Sequence, residues 1–163
     1  MPKAKPNAPP SNAPGHHTPA GKTVNHIPTL EFGILSISAV PEDHYSLSYI
    51  LNESHWRIVK SRTCREAITR LSRRYMPVVI CASDLPDGTW RDVLDQISTL
   101  AQPPVLIVTS RLADDYLWGE VLNLGGYNVL AKPFRESEVK HVVAGLWMNE
   151  RRTVHEAAAA GVA

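Results

Sequence analysis

Cysteine is scarce: the 163-residue chain has two, Cys64 and Cys81. That excludes a disulfide framework, and their spacing matches no metal-ligand motif. Long hydrophobic runs are also missing. None nears the roughly 20 residues that a membrane-spanning helix needs, and no compact apolar stretch follows the N-terminal lysines as a secretory signal would require. Neither sign of charge dominates. Seventeen Lys and Arg against sixteen Asp and Glu leave a formal net charge of +1, so global steering toward nucleic acid or an anionic membrane is not expected. The sequence has no glycine-rich phosphate loop, no Ser-His-Asp arrangement and no paired Cys-x-x-Cys. It reads as a cytoplasmic protein with reduced thiols, and no cofactor or metal is implied.

What is present divides into three stretches. No acidic residue precedes Glu31, and seven of the 13 prolines lie in residues 1–28. Proline removes backbone donors, and few apolar side chains are available there to offset ordering entropy. Residues 1–30 therefore read as a disordered Pro-rich tail, with His16-His17 a solvated pair rather than a metal site. Residues 31–150 carry the folded domain. Residues 151–163 read as an extension of the last helix, free to fray from Ala157 onward.

Within the folded stretch, strand-like and helix-like patterns alternate. Short β-branched apolar runs occupy 33–40, 55–61, 77–83, 103–110 and 127–131. Helical periodicity follows each: Pro41 to Asn52, Cys64 to Arg74, Thr89 to Leu100, Ala113 to Leu124 and Arg135 to about Arg152. The fourth helix stops at Gly125-Gly126. Its Tyr116, Leu117, Val121 and Leu124 form one stripe, as do Trp90, Val93, Leu94 and Ile97 on the third. Five β–α units with strands apolar on both faces predict an α/β doubly wound parallel sheet. Its working crevice lies at the carboxyl ends of the strands, in the loops after Ser38, Ser61, Ala82, Thr109 and Lys132.

Three strings in that order carry a resemblance: LPDG (85–88) after the third strand, VLIVTS (105–110) as the fourth, and GGYNVLAKPF (125–134) around the fifth. Over residues 32–148 the chain resembles the receiver domain of bacterial two-component response regulators, the CheY-like superfamily. The resemblance implies a flavodoxin-like five-stranded sheet of order 2-1-3-4-5. It also implies a site where an aspartate accepts phosphate and further carboxylates hold Mg²⁺, which needs hard oxygen ligands and offsets charge on the phosphoryl group.

The matching positions lack those acids. Where the family has an acidic pair, this chain has Ser38 and Ala39; where it has the acceptor, three residues before Leu85, it has Ala82. Thr109 matches the hydroxyl that senses the phosphoryl group and Lys132 the lysine that pairs with it. Lys132 is thereby expected to lack its usual carboxylate partners, and the remnant serves either as scaffolding or as a small-anion site. Val129 stands where an aromatic switch residue is common. Asp84, two residues past Ala82, is an alternative acceptor, although Asp84 and Asp87 fit better as shapers of a turn and the following helix start. Cys81, mid-strand, reads as a buried inert thiol.

The resemblance then implies a degenerate, stand-alone receiver in a phosphorelay, not an enzyme. Its partner would be a histidine kinase, another receiver or a second copy, bound through the fourth helix, fifth strand and fifth helix. Trp118, Trp147, Tyr116 and Tyr127 lie in that region. The alternatives are an active receiver using Asp84 with Mg²⁺, and a flavodoxin-like catalyst, which no loop supports. The second helix region, with Lys60, Arg62, Arg65, Arg70, Arg73 and Arg74 against Glu66, reads as a solvated face rather than a patch for RNA or an acidic partner.

Overall fold

The computed structural model describes residues 31–53 and 55–161, besides Lys3 and Ala4. The tail expected over 1–30, with His16-His17, lies outside the described residues. Five strands form one parallel sheet: β1 (Phe32–Ile37), β2 (Trp56–Ser61), β3 (Val78–Ala82), β6 (Val105–Ser110) and β7 (Asn128–Ala131), in the order β2-β1-β3-β6-β7. Counting sheet strands alone, this is the 2-1-3-4-5 order of the flavodoxin-like fold. Every residue of β1 and β3 is buried, while β2 at the edge is mostly half-exposed. That is why the central strands read as unbroken apolar runs and the edge strand does not.

Helices cover both faces. Helices α1 (Pro41–Ile50) and α5 (Glu136–Ala160) pack on Phe32, Ile34, Val78, Ile80, Ile107 and Leu130. Helices α2 (Cys64–Arg73), α3 (Trp90–Ile97) and α4 (Asp115–Leu124) cover Leu35, Ile37, Val79, Cys81, Leu106 and Val108. The alternate residues of each strand thus serve opposite cores. Cys81 is fully buried, and burial pushes its thiol pKa up, which suits an inert side chain. Cys64 is buried too, with its thiol raised to about 11, first by desolvation and then by the nearby Asp87 carboxylate.

Helix starts are set locally. Asp114 caps α4 through Leu117 N–H at 2.9 Å, and Thr89 with Asp92 forms a capping box on α3. Gly125 ends α4 at φ 103°, where a side chain would be strained. Three features differ from the sequence reading. First, the Leu-Pro turn is a hairpin of β4 (Asp84–Leu85) and β5 (Gly88–Thr89). Within it Asp87 serves the preceding helix: its carboxylate accepts the backbone N–H groups of Cys64 at 2.8 Å and Arg65 at 3.0 Å, capping α2 from a distant loop. Second, of the periodic stripe on α4 only Val121 is fully buried, while Tyr116 and Leu124 are exposed. Third, α5 continues to Ala160, because nothing in Asn149–Ala160 breaks a helix and Arg152 faces Glu156 one turn on.

Asp87→Ala is expected to lower stability by about 1 kcal/mol, the usual worth of a helix cap, read from urea unfolding. The same backbone donors hold the Asp87 carboxyl below its usual range. Its contribution is therefore complete above about pH 4 and is lost as pH falls through its folded pKa. The wild-type and D87A stability curves should converge in acid.

Candidate functional site

Sheet register aligns the carboxyl ends of the strands. Ala82 sits beside Thr109, and Thr109 beside Leu130, with Ser38 one residue beyond the Ile37–Cys81 pair. Three of the matching positions of the resemblance thus line one edge: Ser38, Ala82 and Thr109, all buried. Ala39, next in the loop, is half-buried and offers only a methyl group. Lys132 arrives from the loop after β7, its backbone N–H bonded to the Ser110 carbonyl, across a cis peptide to Pro133.

Lys132 does not lack a carboxylate. Its Nζ donates to Asp43 Oδ2 at 2.5 Å, and the two side chains are 14% and 12% exposed. Asp43 comes from the first turn of α1, one turn away from the strand end where the acids were expected. Ser38 completes the arrangement. Its hydroxyl donates to the same Oδ2 at 2.6 Å and accepts the Val40 N–H at 3.1 Å. A hydroxyl and an ammonium thus converge on one carboxylate oxygen, giving charge-assisted bonds. The signal for Asp43 was its place five residues after Ser38, just inside a Pro-initiated helix, which aims its side chain back toward the loop.

A second buried group backs this one. His44 Nε2 lies 2.9 Å from the Ser38 carbonyl, which can only accept, so Nε2 carries the proton. In the neutral ring Nδ1 then accepts the Ser36 hydroxyl at 2.8 Å. Burial lowers the His44 pKa first, with Lys60 assisting, while the Ser38 carbonyl opposes. Ser36, Ser38, Asp43 and His44 therefore lock the loop between β1 and α1. Beside them lies a cavity of about 300 Å³, lined by Glu42, Asp43, Ser46, Arg111, Lys132 and Phe134.

Other candidates stand apart from the pair. Asp84 is exposed in the hairpin, where its carboxylate accepts the Ser83 hydroxyl at 3.0 Å. Val129, a residue of β7, is buried on the sheet face that α2, α3 and α4 cover. No group of three or more His, Cys, Asp or Glu is placed to hold a metal ion among the described residues. Trp147 is drawn away from the fourth-helix side: it stacks on His55 at 5.6 Å and meets Trp56 edge-on. No described helix is long and apolar enough to cross a membrane.

No protein-family model and no curated protein matches the chain. Solved structures do. The signal receiver domain of an HD domain-containing protein from Pseudomonas fluorescens Pf-5 aligns at TM-score 0.69 and 20% identity, covering 77% of this chain and 93% of that one. The chemotaxis response regulator CheY4 of Vibrio cholerae aligns at 0.64 and 15%, covering 70% and 97%. The beryllofluoride-activated NtrC4 receiver domain dimer aligns at 0.66 and 23%, covering 72% and 97%. The chain thus has the fold of response-regulator receiver domains.

Two outcomes check the site. Asp43→Ala should destabilise the protein by roughly 2–4 kcal/mol by leaving Lys132 without its counter-ion in a mostly buried place. The D43A/K132M double variant should lose markedly less than the sum of the single changes, as a urea double-mutant cycle would show. For His44, a lowered folded pKa means the unfolded chain binds the extra proton. Stability should fall as pH drops below about 6.5 toward the folded pKa, and His44→Asn should flatten that slope.

Proposed function

We propose that this chain is a receiver-type signalling module whose output is protein binding and which works without phosphoryl transfer. One observation carries the reading: Ala82 stands at the acceptor position while Lys132 is already neutralised by Asp43. A methyl group cannot attack phosphorus, and an ammonium held by a carboxylate is a poor trap for another anion. Thr109 and Lys132 then serve as framework, with Ser38 recruited to hold Asp43. Asp84 makes a weak alternative acceptor, since it lies exposed in the hairpin rather than at the end of β3.

The binding face favoured by exposure is that of α4, β7 and α5. Tyr116 is 78% exposed, and Leu122, Leu124 and Tyr127 about half. Large apolar side chains left in water on one helix and its neighbouring strand mark an interaction surface. A histidine kinase, another receiver or a second copy would fit it. The NtrC4 receiver was solved as a dimer, which shows that the shared fold can pair with itself. Partner occupancy rather than covalent modification would set the state, because a ligand shifts a protein only by binding two conformations differently.

Incubation with acetyl phosphate and Mg²⁺, followed by intact-mass spectrometry, should show no phosphoryl adduct, and beryllofluoride should leave the amide NMR spectrum unchanged. A Mg²⁺-dependent adduct, mapped to Asp84 or elsewhere, would overturn the reading.

A further inference from the structure

The chain's charge is balanced overall but not locally. Seven of the 17 cations fall in residues 57–74, with one acid among them, Glu66. The structure folds this stretch into edge strand β2 and helix α2. Arg57 on β2 and Arg74 just past α2 both reach one carboxylate, Glu31, at 3.2 and 3.1 Å. That shared contact brings the C-terminal end of α2 to the start of the β2 edge, with Arg70 one turn back on the helix. Arg70 uses Glu66 at 2.7 Å. Lys60 and Arg62 have no ionic partner within 4.0 Å among the described residues; Lys60 lies over the exposed Tyr45 ring. Five cations thus border the edge against two carboxylates. The pairs are half-exposed, a setting in which an ion pair contributes little and exchanges readily.

The edge itself is open among the described residues. Strand β2 pairs only with β1 among the described residues. In a parallel ladder alternate residues turn their backbone groups to the neighbour. The carbonyls of His55 and Ser61 accept from Phe32 and Ser38, which leaves those of Trp56, Ile58 and Lys60 facing outward. Ile58 and Val59 between the cations are half-buried, so the edge offers apolar positions flanked by cations together with free backbone groups.

We propose that the β2 edge, flanked by α2, is a docking site for an extended acidic segment of a partner protein, added as a sixth strand. Backbone pairing supplies the ladder, and Arg57, Lys60, Arg62 and Arg70 select acidic side chains. A second copy of β2 is repelled by the same cations. The chain's own first 30 residues contain no acid to complement them. Nucleic acid fits less well, because the unpaired backbone groups match a polypeptide and no row of exposed aromatic rings lines the strand edge among the described residues. This face is separate from that of α4, β7 and α5, so the inference stands whatever becomes of the reading above.

The test uses the full chain and a fluorescein-labelled ten-residue peptide alternating Glu with Val or Thr, read by anisotropy. Saturable binding is expected, weakened at least tenfold in the R57E/K60E/R62E variant with its circular dichroism unchanged, and weakened similarly when alternate peptide nitrogens are methylated. The methylated peptide probes the edge without altering the protein. Absence of saturable binding overturns the proposal. So does equal binding of the methylated peptide, or tighter binding of a single-stranded oligonucleotide than of the peptide.

Discussion

The ion pair between Asp43 and Lys132 is the constraint around which the carboxyl edge of the sheet is arranged. Its charges belong to distant segments, one on α1 and one after β7, and between them lie the ends of β1, β3 and β6. Both groups are largely out of water. Each is tolerable there only because the other is present, and because Ser38 adds a donor to the same carboxylate oxygen. His44, held by the Ser38 carbonyl and the Ser36 hydroxyl, fixes the loop that brings Ser38 into place. The loop is ordered by polar groups that satisfy one another, where the receiver resemblance would lead one to look for acids and a metal ion.

The fold was largely legible before the structure. Strands β1 and β3 are buried on both faces, so their residues are uniformly apolar and easy to recognise; Gly125 marked the end of α4 because only glycine sits comfortably at φ 103°. The misreadings have particular causes. The α4 stripe was periodic, yet periodicity does not reveal whether a partner covers it, and Tyr116 and Leu124 face water. Asp87 reads from sequence as part of its own turn, whereas its carboxylate works across the fold, on α2, 23 residues earlier. The extension of α5 stays helical to Ala160, past the Ala157 where fraying is expected, as its alanines favour.

The site was half legible. Ala82, Thr109 and Lys132 could be placed from short strings, since strand register carries such positions faithfully. Asp43 could not be linked to Lys132, because 89 residues separate them and only the folded arrangement of α1 beside the loop after β7 brings them together. A missing acid at a matched position is visible in one line of sequence. A compensating acid one helical turn away is a property of three dimensions.

Helix α5 has one mechanical consequence. Its last buried residue is Leu146, and it runs on to Ala160 with every residue from Arg151 exposed. Trp147 stacks on His55 and Glu150 accepts the Tyr75 hydroxyl, so the ten residues Arg151–Ala160, at 1.5 Å per residue, make an overhang of about 15 Å. A tilt of about 10° at the domain would sweep the tip through roughly 3 Å over that span. Small rearrangements where α5 rests on the sheet are thus magnified at its far end, so the helix is built like the pointer of a gauge.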